Sequence, residues 1–168
     1  MIHLYHGTGK GKTTAAMGLA LRMAGRGRPV IIAQFLKGAD SGERIALAAL
    51  PQVTLLEIPD RIKFTFQLTP EERRTEELRC LDLLQRLSPR LADPSALLVL
   101  DEVCDAVNTG LLPEQALLDL LDRTAGEVVL TGRTPGEEVV KRADYITFFQ
   151  KERHPFDKGV PARPGIEY

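Results

Sequence analysis

Residues 7–14 read GTGKGKTT, a run built from glycine, lysine and threonine alone. Glycine lets a backbone approach a polyanion closely, free amides at the start of a helix point toward negative charge, and a lysine adds a point charge. That is the chemistry of holding a nucleotide's phosphates. The usual pattern, G-x-x-x-x-G-K-[ST], puts its first glycine five residues before the second. Here that position is His6 and the first glycine is Gly7, so the loop G-x-x-x-G-K-T is one residue short. The stretch follows an apolar run directly and opens an alanine-rich segment, AAMGLALRMAG. Strand, loop and helix in that order favour a phosphate cradle over a glycine-rich turn.

A second group of residues fits the same chemistry. The run ALLVLD ends on Asp101 with Glu102 next to it, which is where α/β folds place the acidic partner of a nucleotide's Mg²⁺. Thr13 is expected to bind that metal directly, with Asp101 or Glu102 opposite. Arg133 follows VVLTG and should project from the same edge of the sheet, as a phosphate or ribose contact or as a plain surface arginine beside a helix start. Phe64 and Phe66 stand two apart in KFTFQ, so an extended chain would turn both rings to one side, toward a ligand or toward the core. His3, His6 and His154 show no ligand spacing, and no serine or cysteine is paired with a histidine in a pattern for covalent hydrolysis.

These residues need a sheet to carry them. Short apolar runs recur at 2–6, 29–35, 53–58, 96–101, 127–132 and 145–149. They are continuous and not alternating, the pattern of a mostly parallel six-stranded sheet with helices on both faces and right-handed crossovers. Thr69-Pro70-Glu71-Glu72 and Thr134-Pro135-Gly136-Glu137 predict two capped helix starts. In the first helix, Leu78, Leu81, Leu84 and Leu87 recur every three residues, and Arg73, Arg74, Glu76, Glu77 and Arg79 predict a solvated face. RHPFDKGVPARPGIEY at the end is rich in proline and glycine, so residues 151–168 are expected to form an extended tail. Aromatic and charged residues in it (Phe156, Asp157, Lys158, Arg163, Tyr168) leave room for a function.

A length of 168 residues with 43% apolar content predicts one domain spanning 1–168. Twenty-two basic side chains balance 23 acidic ones, so nothing electrostatic suggests nucleic acid or an anionic membrane. No leader or membrane-length apolar run is present, which predicts a cytoplasmic protein. Cys80 and Cys104 fall outside any C-x-x-C pattern and are expected to be reduced, buried thiols.

Taken together, GTGKGKTTAA, IIAQFLKG, GER, FTF, LLVLDE, VVLTGR, ADY and HPFDKGVPARPGIEY resemble the P-loop type of ATP:corrinoid adenosyltransferases. The resemblance runs nearly end to end. It implies a P-loop NTPase-like (RecA-like) fold and a reaction in which Co(I) of a reduced corrinoid attacks the 5′ carbon of ATP and expels triphosphate. A contracted cradle would then hold the whole triphosphate as a leaving group. The resemblance further implies that Gly7, Thr8, Gly9, Lys10, Gly11, Lys12, Thr13 and Thr14 bind triphosphate. Thr13 and Glu102 would hold Mg²⁺ and Arg133 the nucleotide. Phe64 and Phe66 would line the corrinoid site and displace the lower axial ligand of cobalt. A flavoprotein reductase and a homodimer are implied as partners.

Three positions depart from the family pattern: Lys63 and Phe66 replace a frequent glycine and tryptophan, and Thr8 a frequent asparagine. Relatives often carry an N-terminal helix over the partner's site, so a sequence starting at the first strand implies a more open dimer. Two other readings of the phosphate site are a small P-loop kinase or ATPase, which would make ADP, and a nucleotide-binding regulatory module without turnover.

Overall fold

The computed structural model of the chain describes residues 1–60 and 63–167. The apolar runs form strands β1 (Ile2–His6), β2 (Val30–Gln34), β3 (Val53–Leu55), β4 (Leu97–Asp101), β5 (Glu127–Gly132) and β6 (Tyr145–Phe148). Helices α1 (Lys12–Ala24), α2 (Gly42–Ala48), α3 (Pro70–Leu87), α4 (Val103–Asn108), α5 (Glu114–Arg123) and α6 (Glu137–Arg142) lie between them. The strands make one sheet in the order β3-β2-β4-β5-β1-β6, and every pairing is parallel. The expected mostly parallel sheet is therefore wholly parallel.

Successive strand residues face opposite sides, so continuous apolar runs supply two cores. From β2, Ile31 and Ala33 pack with Cys80, Leu83 and Leu87 of α3 and Leu117 of α5. Val30 and Ile32 pack on the other face with Ala16, Met17 and Ala20 of α1. Each large aliphatic side chain buried this way contributes roughly 1.5–3 kcal/mol. Cys80 and Cys104 are free thiols inside the first core, and burial raises them to about 11 and about 12.

Several expectations need correction. Stepping by three residues turns about 300° around a helix, so a strict three-residue repeat drifts off the buried face. The stripe that packs is Cys80, Leu83, Leu84 and Leu87, while Leu78 is exposed. The charged face is only partly solvated: Glu76 and Arg79 are each 16% exposed and pair at 2.8 Å. Arg73 donates to the Thr109 carbonyl at 2.5 Å.

The Thr69 capping box forms, with Glu72 N donating to Thr69 Oγ1 and Thr69 N to the Glu72 carboxylate. The one predicted at Thr134 does not, because α6 starts later and takes Gly136 as an uncapped N-cap. The Thr134 carbonyl is held by Asn108 Nδ2 at 2.5 Å, and Arg133 N donates to Asp105. Contacts with α4 thus keep that segment from turning early into helix.

The tail contains a short 3₁₀ turn, Pro155–Lys158, and then returns to Lys10 of the loop. Lys10 Nζ donates to the Ile166 carbonyl at 2.5 Å and lies 3.5 Å from Glu167. Tyr168, part of the predicted tail motif, lies outside the described residues.

Candidate active site

Because all strands run the same way, their carboxyl ends share one edge of the sheet. The loop after β1, Lys37 just beyond β2, Asp101 and Glu102 at the end of β4, and Arg133 after β5 all emerge there. The shortened loop is tied to its neighbours. Gly7 N donates to the carbonyls of Gly132 and Arg133 at 3.2 and 3.0 Å, and Gly9 N to Phe149 O at 2.7 Å. Gly7 has φ 114°, and a Cβ there would strike the Phe149 carbonyl and lie 2.9 Å from the Phe148 ring. Only glycine fits such an approach.

Two amides of the loop are thereby committed to the sheet. The amides of Lys10, Gly11, Lys12, Thr13 and Thr14 donate to no acceptor among the described residues, Ala15 N making the first bond, to Gly11 O. Five free donors at the start of α1 form a nest for an anion. Lys12 Nζ curls onto Gly7 O and Gly9 O at 2.7 and 2.9 Å. Burial pulls its pKa below the ordinary lysine value, with Asp105 opposing and Arg133 adding to the effect. An anion in the nest would offer that ammonium a better partner than two carbonyls.

Asp101 is wholly buried and fully bonded. Its Oδ1 accepts from Thr13 Oγ1 at 2.9 Å and Thr131 Oγ1 at 2.7 Å. Its Oδ2 accepts from Gln34 Nε2 at 3.2 Å and Lys37 Nζ at 2.8 Å. One carboxylate therefore pins the P-loop, β2 and β5 to β4. Gln34 extends the network by accepting from Arg44 Nη1 at 2.8 Å.

Glu102 holds a left-handed backbone, φ 61°, fixed by its N–H donating to Thr131 Oγ1 at 2.8 Å. Burial, and then the adjacent Asp101 charge, push its carboxyl up to about 7 from an ordinary 4.5. An acid with a raised folded pKa binds more protons folded than unfolded across that window. Stability attributable to Glu102 therefore falls as pH rises from 4.5 to about 7 and then levels off. In metal-free buffer, Glu102→Gln is expected to gain in Tm on the wild type across this window and hold a constant lead above it. A Tm difference that ignores pH would remove Glu102 as the cause.

The cradle opens into a cavity of about 1210 Å³. Lys12, Thr13, Glu102 and Arg133 line it, and so do Phe64 and Phe66. Pockets for drug-sized ligands measure about 300–1,000 Å³, so this one is larger than such a molecule needs. The two rings stack at 5.5 Å and 10° and are 70% and 80% exposed. Phe66 lies in a 3₁₀ turn, Thr65–Gln67, with Phe64 as the extended residue that precedes it, so the pair is not on one extended chain; both rings are surface, not core.

The structure thus brings Gly9 to Thr14, Glu102, Arg133, Phe64 and Phe66 together, while Gly7, Thr8 and Asp101 do not line the cavity, Gly7 and Asp101 being buried and Thr8 exposed. Sequence reasoning passed over Lys37, Glu76 and Asp105, which also line it. For Lys37 the signal was present, in a polar residue two past a strand-end phenylalanine on the same edge. Glu76 hid inside a charge run, and Asp105 on a short helix.

The family described as "ATP:corrinoid adenosyltransferase BtuR/CobO/CobP" matches residues 1–168. The "Corrinoid adenosyltransferase CobA" of Salmonella typhimurium is 34% identical over 177 residues, covering 100% of this chain and 85% of that protein. A corrinoid adenosyltransferase of Escherichia coli K12 is 33% identical with the same coverage, and one of Pseudomonas aeruginosa 31%, covering 98% of this chain and 82% of its own. With similarity along the whole length, over a phosphate cradle that shares its cavity with an aromatic wall, the chain belongs to the ATP:corrinoid adenosyltransferase family.

Proposed function

We propose that this enzyme transfers the 5′-deoxyadenosyl group of ATP to the Co(I) of a reduced corrinoid and releases triphosphate, in the making or salvage of adenosylcobalamin. The observation that carries it is the single cavity joining the phosphate nest to the stacked pair Phe64 and Phe66. A small phosphoryl acceptor has no use for an exposed aromatic wall, whereas a broad tetrapyrrole has.

The reaction makes few demands on side chains. The cobalt electron pair forms the bond to C5′, and the C5′–O pair leaves with the triphosphate. No proton moves, so no general base is needed, and catalysis reduces to placement and to neutralising the departing charge. The amides of Lys10 to Thr14 hold the triphosphate, Lys12 leaves the loop carbonyls to pair with it, and Arg133 contacts the nucleotide. Gly7, Thr8 and Gly9 shape the loop that presents those donors.

The hydroxyl and carboxylate oxygens of Thr13, Asp101 and Glu102 suit a hard cation, and the Lys37 ammonium already rests on two of those groups. Among the described residues no cluster of three His, Cys, Asp or Glu could cage a metal. Mg²⁺ held by these three residues would supply positive charge to the leaving triphosphate.

Residues 1–168, tail included, act as one domain in this reading. A flavoprotein that delivers electrons to cobalt, a homodimer and a cytoplasmic setting accompany it. No helix among the described residues is long and apolar enough to cross a membrane.

Phe66→Ala is expected to raise the corrinoid KM roughly fivefold, about 1 kcal/mol of aromatic contact. ATP affinity and Tm should stay at wild-type values, since the ring is exposed. Steady-state kinetics in both substrates checks this. The reaction itself is tested by mixing protein, MgATP and chemically reduced cobalamin without oxygen. A light-sensitive alkylcobalt product with stoichiometric triphosphate is expected; ADP or orthophosphate alone would reject the proposal.

A further inference from the structure

Lys37 rests on two of the three side chains assigned above to the cation, Thr13 and Asp101. Its Nζ lies 2.8 Å from Asp101 Oδ2 and 2.9 Å from Thr13 Oγ1, and 3.9 Å from both Glu102 and Glu43. Its side chain is 23% exposed, against 0% for Asp101. Of the four groups bonded to Asp101, only Lys37 carries charge, and a buried carboxylate needs a compensating charge. At 2.8 Å from a carboxylate that is wholly buried, Lys37 is that carboxylate's ion-pair partner.

Two cations cannot share these oxygens, because their mutual repulsion at contact distance would offset what either gains. Lys37 also lines the same cavity as Lys12 and the free amides, so a polyanion bound there offers its flexible stem an alternative partner.

We propose that Lys37 is a place-holding cation: in the nucleotide-free enzyme it occupies the seat of Mg²⁺ on Thr13 and Asp101, bars the free ion, and yields only when the triphosphate arrives with it. The enzyme would thus take ATP and metal together, not metal first. This rests on reading Thr13, Asp101 and Glu102 as the cation's ligands, and not on the identity of the acceptor. A failed adenosyl transfer assay therefore leaves it standing.

The test uses the whole chain without nucleotide, with Tm and calorimetric Mg²⁺ titration as readouts. Wild type and Lys37→Arg are expected to show no Mg²⁺ binding and an unchanged Tm. Lys37→Met should melt several degrees lower in EDTA and regain roughly 3 to 6 °C at about ten times its Kd for Mg²⁺. Lys37→Gln keeps a hydrogen-bond donor to Asp101 without the charge, and should show the same gain if Lys37→Met does not fold. Adding Asp101→Asn to either neutral variant should abolish the gain. Wild type binding Mg²⁺ as well as the neutral variants do, neutral variants that ignore Mg²⁺, or a gain that survives Asp101→Asn would each overturn the proposal.

Discussion

Lys12→Ala is expected to lower kcat by about 10² to 10³, or roughly 3 to 4 kcal/mol of lost transition-state stabilisation, in a protein that still folds. Negative charge grows on the triphosphate as the C5′–O bond breaks, so an ammonium held against it counts for more in the transition state than in bound ATP. The loss should therefore fall on kcat more than on KM. Stability should change little. The substitution gives up two hydrogen bonds to loop carbonyls, but it also removes an ammonium whose charged form the fold disfavours, as its lowered pKa shows. Single-turnover rates with saturating ATP, read beside a circular dichroism melt, check both halves. A rate close to wild type would dismiss Lys12 as the neutralising group, and an unfolded product would make it structural.

Asp101→Ala is expected to damage the fold as well as the activity. The change strands four donors that converge on one carboxylate: Thr13, Thr131, Gln34 and the Lys37 ammonium. Leaving a buried ion without its counter-charge costs about 3 to 5 kcal/mol, which for a chain of this size corresponds to roughly 6 to 20 °C in Tm. Asp101→Asn keeps a hydrogen-bonding group in place and should lose less. Thermal and urea melts of the two variants decide the matter, and an Ala variant as stable as wild type would show that the network is not anchored on this residue.

The fold was readable where a run of residues has one possible home. β1 and β5 begin and end where IHLYH and EVVLTG do, each run closing at a positive-φ glycine, Gly7 after β1 and Gly132 at the end of β5. β3 stops at Leu55 and not at Ile58, since Leu56 N makes a last bond to Ile32 O and the chain then turns away toward Pro59. No local pattern marks that departure. Thr69 and Thr134 both head a Thr-Pro-x-Glu pattern, but the third residue is Glu71 in one and Gly136 in the other, and Thr134 is also held by α4; the first caps and the second does not.

The site was legible to the extent that parallel strands deliver their ends to one edge, which brought the loop, Glu102 and Arg133 together. Lys37, Glu76 and Asp105 escaped because their roles depend on which way a helix or loop faces, a tertiary fact. The stacked pair Phe64 and Phe66 was visible as a pair, but not as a surface.

The backbone twist at Glu102 carries a consequence for how this molecule can be improved. A side chain other than glycine in the left-handed region forfeits about 1 to 2 kcal/mol, and here that conformation sits next to a carboxylate pressed against another acid. Glycine at 102 would relax both tensions and lose the oxygen that faces the cavity. The chain is thus held below the robustness its own scaffold permits, and a search for hardier variants that ignores chemistry will be drawn first to the position where hardening disarms it.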